Sequence, residues 1–355
     1  MSTILVTGAS GRTGRRVISQ LLARNQRLRA FVRRPEAARE LLDLGVADYI
    51  LGDLEREEDL RRALVNVDSV LHICPPMHPA EDRIAADMIR LCEAHGVGRF
   101  VLYSVLHPLV DVPHHRRKLH AEHALLNSSL AYTILQPCRY MQHLNAIWAQ
   151  VRDQGLHPMP FDSKARFSLV DLHDLAEATA KVMVEPGHDY ATYQLAGPQR
   201  LSMEDCAAIL TDVLGREVKA VARSDHEFRS AAKAAGMPAA RIEGMSVMNA
   251  HYTAHGLSGN PNVLRWLLGR ERSAALFAFC ALGAAIAWLG VAPELVHRHI
   301  VGHVQRVGEP GGQLHRGVHR QCATDVPMHP GSLQQGGGLD GAAADEHVLE
   351  RDASG

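Results

Sequence analysis

Thr7-Gly8-Ala9-Ser10-Gly11-Arg12-Thr13-Gly14 is the stretch whose reading decides the fold of this 355-residue chain. An apolar strand, Ile4-Leu5-Val6, leads into it. A helix with apolar positions Val17, Ile18, Leu21 and Leu22 leads out. The three glycines stand three apart. Gly8 permits a tight turn, Gly11 lets the backbone approach a pyrophosphate, and Gly14 lets the helix pack close to the sheet. The helix N-terminus offers unpaired N–H groups and a positive dipole end to the anion. A second strand, Leu28–Val32, follows at the expected distance. A glycine turn of purely structural purpose is the competing reading, and the strand–turn–helix context favours the dinucleotide.

Outward from this unit, strands and helices alternate. Helix Pro35–Leu44, strand Ala47–Leu51, helix Glu57–Leu64, strand Ser69–Ile73 and helix Ala80–Ala94 come first. Strand Phe100–Ser104, helix His114–Leu126 and strand Ala131–Leu135 follow. Six short apolar strands separated by amphipathic helices predict an α/β fold with a doubly wound parallel sheet, a Rossmann core over about residues 1–137. Residues 138–272 read as a smaller α/β substrate lobe. Its expected elements are helix Met141–Val151, strand Phe167–Val170, helix Asp171–Val184, strand Tyr193–Leu195, helix Ser202–Leu214, strand Val218–Ala222 and helices Asp225–Ala235 and Ala239–His255.

The chain is 46% hydrophobic and 22% charged, with a formal net charge of -1. That balance, with no long basic run, gives no electrostatic reason to expect nucleic acid binding. The six cysteines are scattered without a CxxC pair, as reduced intracellular thiols are. The first strand begins at once, leaving no room for a signal peptide, so a cytoplasmic location is expected. Residues 273–293 carry no charge and are long enough to span a bilayer, although many alanines dilute them. If inserted, they would tether the protein with its Rossmann domain in the cytoplasm. Residues 294–355, rich in His, Gly, Arg and Gln, read as a disordered tail. Their histidines have no metal-ligand spacing, and no metal is expected.

An Asp or Glu at the end of the second strand would accept from the ribose 2′-OH of NAD. Arg33 and Arg34 stand there instead. Guanidinium groups suit a 2′-phosphate, and Arg12 can add a further cation, so NADP(H) is favoured over NAD(H). Asp53, in Gly52-Asp53-Leu54, either accepts from the adenine amino group or caps the next turn.

These motifs resemble the NmrA-like atypical short-chain dehydrogenase/reductases. The resemblance rests on Thr-Gly-x-x-Gly-x-x-Gly, Val32-Arg33-Arg34-Pro35, Gly52-Asp53-Leu54 and Arg99-Phe100-Val101-Leu102-Tyr103-Ser104. It continues through Tyr132-Thr133-Ile134-Leu135-Gln136-Pro137, Val170-Asp171-Leu172-His173-Asp174-Leu175-Ala176 and Leu195-Ala196-Gly197-Pro198. It covers about Thr3 to Arg270. Residues beyond have no place in the pattern; their abrupt rise in Ala, Gly, His and Arg favours a frame-shifted or fused reading over an appended anchor. The resemblance implies an NAD(P)H-dependent reductase of quinone-like or azo acceptors, or a non-enzymatic redox sensor that binds the dinucleotide and a protein partner.

Short-chain dehydrogenases use a Ser and a Tyr-x-x-x-Lys pair. The resemblance puts Ser104 and Lys118 in the Ser and Lys places, with Lys118 holding the nicotinamide ribose. His114 stands where the Tyr would be, so the usual acid–base pair is absent. Ketone reduction needs that acid, whereas a reduced quinone can take its proton from water. His114 is the substitute proton donor, against the reading that His114-His115-Arg116-Arg117-Lys118 is a solvated basic face. Lys118 has its own bland reading, an i,i+4 ion pair with Glu122. The expected cofactor contacts are Gly8, Ser10, Gly11, Arg12, Thr13, Gly14, Arg33, Arg34, Asp53, Leu54, Pro75, Pro76, Lys118 and Pro137. Met77, Leu106, His107 and Tyr140 follow strand ends and are expected to line an apolar pocket for a small aromatic acceptor such as a quinone. Cys138 reads as an inert buried thiol.

Overall fold

The computed structural model describes residues 2–270. Segment 273–293 and the tail 294–355 lie outside the described residues. Within those described, no helix is long and apolar enough to cross a membrane.

The first half alternates as its sequence requires: β1 (Thr3–Val6), α1 (Arg12–Leu22), β2 (Arg27–Val32), α2 (Pro35–Asp43), β3 (Asp48–Leu51) and α3 (Glu57–Leu64). Then come β4 (Ser69–His72), α4 (Glu81–Ala94), β5 (Arg99–Tyr103), α5 (Pro113–Leu126) and β6 (Ala131–Pro137). Alternate side chains of β1 enter opposite cores. Ile4 and Val6 pack with Val17, Ile18 and Leu21 of α1 on one face. Leu5 packs with Leu60, Ile84 and Met88 of α3 and α4 on the other. A strand buried on both faces explains why the run is apolar without alternation.

The second half contains β7 (Arg139–Tyr140), a 3-10 turn (Met141–Ile147), α6 (Trp148–Gln154), β8 (Leu156–Met159), β9 (Phe167–Val170), α7 (Leu172–Val184) and β10 (Ala191–Leu195). It ends with β11 (Arg200–Leu201), α8 (Met203–Leu214), β12 (Lys219–Ala222), α9 (Asp225–Ala234), α10 (Ala239–His255) and α11 (Asn262–Leu268). Side-chain caps start three of these helices. Asp171 accepts from the His173 N–H, and Ser202 and Ser224 form capping boxes with Asp205 and Glu227.

The main sheet has seven parallel strands in the order β10-β6-β5-β4-β1-β2-β3. The chain reverses its direction of growth between β1 and β4, and the crevice beyond those strand ends is the ligand site of such a sheet. Two expectations change. The strand at Tyr193–Leu195 belongs to the main sheet as β10, not to the smaller lobe. It pairs with β6 from Ala191 to Leu195, after α7 has crossed back over the face that α1 covers. The helix expected over Met141–Val151 is instead a 3-10 turn followed by α6. Within that turn the Gln142 amide donates to Asp171 at 2.7 Å and accepts from the Leu172 N–H at 2.9 Å, joining it to the start of α7. The smaller lobe is built on a three-stranded sheet, β11-β9-β7, and a pair, β12-β8.

Candidate active site

The glycine turn sits at the β1/β4 crevice. Thr7 anchors it: its N–H donates to Leu71 O at 3.0 Å. Its hydroxyl donates to Ile73 O at 3.2 Å and accepts from the Ile73 N–H at 2.9 Å. Gly8 has φ +60°, and a Cβ there would meet Ile73 O at 2.6 Å. A Cβ on Gly14 would come within 2.2 Å of Gly8 O and 2.8 Å of Ala9 Cα. Both positions require glycine, one for conformation and one for the approach of α1 to the turn.

The start of α1 fits an anionic ligand. Its N-cap, Gly11, carries no capping side chain, and the first turn holds no acid. The first N–H groups are therefore open to an outside acceptor. Arg12 and Arg33 are exposed and pair with no carboxylate among the described residues. Arg34, also exposed, follows Arg33 at the start of α2. This donor set suits a dinucleotide carrying a 2′-phosphate. Gly11→Asp tests it: a Cβ on Gly11 would stand 3.2 Å from Gly8 O, so the turn must give by a few tenths of an ångström. A carboxylate there opposes the pyrophosphate, and NADPH affinity is expected to fall at least roughly 100-fold. Fluorescence titration beside the urea unfolding curve separates lost affinity from lost stability.

Asp53 takes the turn-capping role. Its Oδ1 accepts from the Glu55 N–H at 3.0 Å, and its own N–H donates to Asp59 at 2.9 Å. Leu54 is buried in the core beneath α3 and α4.

Lys118 reaches the C-terminal end of β5. Its Nζ donates to Tyr103 O at 2.7 Å and forms an ion pair with Glu81, which is only 2% exposed. The Lys118–Glu122 pair of the bland reading does not form. Glu122 instead accepts from the Ser104 hydroxyl, and from Gln136 Nε2 at 3.0 and 3.1 Å. Burial raises the Glu122 pKa, opposed by these two donors and by the nearby Lys118 charge. Ser104 thus faces α5 in this structure.

The basic-face reading of the start of α5 also changes. His115 is fully buried, with Nδ1 2.9 Å from His107 O and Nε2 3.3 Å from the Tyr252 hydroxyl. His114 stacks edge-on against it at 4.4 Å, and its Nδ1 is buried without a partner. Burial pushes the His114 pKa down to about 3, aided by the charges of His115, Lys118 and Arg117. At neutral pH the ring is an uncharged donor–acceptor, not an imidazolium.

Pro75 and Pro76 follow β4 with partly open surfaces. Met77 has φ +60°, and its methyl lies 3.7 Å from where a Cβ would stand on Gly244 of α10. That proximity joins the turn after β4 to α10. Leu106 is corrected from a pocket residue to a core one. It is fully buried, with its methyl groups about Gly259, and has no surface to offer a ligand. His107 is fastened by a 2.7 Å contact from Nε2 to Ser258 O. Pro137 is buried at the end of β6, where its carbonyl accepts from the Leu106 N–H. Tyr140 stacks on His143, with Thr13 of the glycine turn beside its hydroxyl. Burial raises its pKa to about 12, so its hydroxyl stays protonated. Cys138 is an inert thiol as expected, pushed up to about 12 by burial. Sequence reasoning missed Glu81, Gln136 and His72, and named Glu122 with the wrong partner. His72 is buried behind Thr7, and burial together with Lys118 lowers its pKa to about 3.

Residues 8–186 match the family model described as NAD(P)H-binding. The chain is 31% identical to the NAD(P)H azoreductase of Xenophilus azovorans over 288 residues, 79% of this chain and all of that protein. It is 28% identical to quinone oxidoreductase 2 of Escherichia coli, covering 75% of this chain and 93% of that one. The solved structure of Citrobacter sp. triphenylmethane reductase complexed with NADP(H) superposes with a TM-score of 0.69 at 26% identity, covering 78% of this chain and 99% of that one. With the uncapped helix start, the glycine cradle and the arginines that flank it, these matches establish that the chain belongs to the NAD(P)H-binding family of Rossmann proteins.

Proposed function

We propose that this protein is an NAD(P)H-dependent reductase that passes hydride to a quinone-like or azo acceptor. The reading is carried by one juxtaposition. The dinucleotide cradle and Lys118 stand beside an apolar turn, Pro75-Pro76-Met77, and no Tyr precedes Lys118 by four residues. Relatives that reduce azo compounds and quinones support it.

The nicotinamide, when bound, supplies the hydride. The chain's own residues bind, orient and exclude water. The start of α1, Arg12 and Arg33 hold phosphates. Tyr140 steadies the turn through Thr13. Lys118, fixed by Glu81 and Tyr103 O, offers its remaining N–H to the ribose. Met77, near Gly244 of α10, covers a flat acceptor. The second half-reaction needs only a proton, which a reduced quinone or hydrazo nitrogen takes from water.

Arg33 sets the cofactor preference. Arg33→Ser should raise the KM for NADPH about tenfold, the worth of one charge-assisted hydrogen bond, and leave that for NADH nearly unchanged. The test of turnover is steady-state oxidation of both cofactors with menadione and a simple azo dye. Protein-dependent oxidation supports the reductase. Tight binding with no turnover across the panel would place the chain among dinucleotide sensors that act through a protein partner.

A further inference from the structure

We propose that a cavity behind β7 binds one monovalent anion of halide size, held by Arg139, His143 and His157. The cavity has a volume of about 20 Å³ and lies in the smaller lobe between β7, β8, β9 and α8. That is room for a single small particle.

Arg139 brings a positive charge that no carboxylate meets among the described residues. Its guanidinium touches the Met159 sulfur at 3.2 Å. It also lies over the rings of Phe161 and Phe167, 5.2 and 5.7 Å from their centroids. Aromatic faces and a thioether attract a guanidinium but leave most of its N–H groups without a strong acceptor. A guanidinium does not shed its proton, so its charge must be met by a counter-charge or exposed to water.

The wall adds two further donors. Nδ1 of His143 and Nδ1 of His157 are both buried and without a hydrogen-bond partner, and His157 is only 3% exposed. Burial and the Arg139 charge hold both rings neutral, so each can present one N–H. The rest of the lining is apolar or uncharged: Met141, Leu144, Leu169 and Met203, with the Tyr140 hydroxyl and the Cys206 thiol each raised to about 12 by burial. A lone cation, two idle imidazole nitrogens and no negative group thus converge on one particle-sized space. Water would satisfy the donors and leave the charge. A chloride or bromide satisfies both.

The site shares Tyr140 with the crevice of the reductase reading, but its test does not depend on turnover. The full-length protein is unfolded thermally in chloride, bromide or gluconate at equal ionic strength. Halide should raise Tm saturably by about 3 °C at tenfold its Kd, and gluconate should not. Arg139→Met and His157→Phe should abolish the difference. Crystals of the unaltered protein grown in bromide guard against variants that fail to fold. Anomalous density between Arg139 and His157 is the expected result. Equal Tm in all three salts, or a cavity holding water without anomalous signal, overturns the proposal.

Discussion

Lys118→Met is expected to lose both stability and cofactor oxidation, and a second substitution separates the two. Glu81 stands in the first turn of α4, 2% exposed, and Lys118 is its ion-pair partner. Removing one member of a buried pair leaves an uncompensated charge and costs about 3–5 kcal/mol. For a domain of this size that lowers Tm by roughly 10 °C. In Lys118→Met/Glu81→Gln no charge is stranded, and most of the lost stability should return. Cofactor oxidation should not return, because no ammonium remains at the end of β5 to hold the ribose. A drop of roughly 100-fold in kcat/KM in both variants is the expected pattern. Recovery of activity together with stability in the double variant would make Lys118 a structural residue only. Thermal melts and steady-state kinetics on the same three proteins decide it.

Acid should unfold this protein well above the carboxylate range. Burial holds His72, His114 and His143 down to about 3, and His115 and His157 to about 4, against an ordinary value of 6.5. Below about pH 6.5 the unfolded chain binds protons that the folded chain refuses. Stability is therefore whole above that pH and falls as pH drops toward the folded values. Each ring contributes at most about 1.4 kcal/mol per pH unit once past 6.5. His114 and His143 are only half-buried and contribute less. The sum is roughly 5 kcal/mol per unit, enough to consume a typical domain's stability near pH 5. Urea midpoints followed by circular dichroism from pH 8 to 5 should fall steeply below 6.5. His157→Phe should flatten that slope by about one proton. A midpoint unchanged between pH 7 and 5 would contradict the burial of these rings.

What was legible in the sequence is what local backbone chemistry demands. Gly8 and Gly14 announce a turn that only glycine permits at those two positions, and the apolar strands around them announce a sheet covered on both faces. What was not legible depends on partners distant in the chain. Lys118 had Glu122 one helical turn away, yet its partner is Glu81 on α4, because α4 and α5 pack side by side. The histidine–arginine run at the start of α5 reads as a solvated face only if taken as a block. A helix turns about 100° per residue, so His115 points into the lobe toward Tyr252 while Arg116 faces solvent. Strand β10 looked like part of the smaller lobe because it follows α7 and is half-exposed and mixed in polarity. Those are the properties of an edge strand, and only its register with β6 assigns it. Leu106 follows a strand end, as pocket residues do, but the close approach of Gly259 closes over it.

Hydride transfer from NAD(P)H is the central claim, and a single-turnover experiment tests it most directly. The full-length protein is mixed with NADPH, or with NADPH deuterated at nicotinamide C4, and then with menadione, and cofactor absorbance is followed. The account predicts protein-dependent oxidation, slower for the deuterated cofactor, with NADPH preferred to NADH. Saturable binding of NADPH with no oxidation of either isotopologue would contradict it.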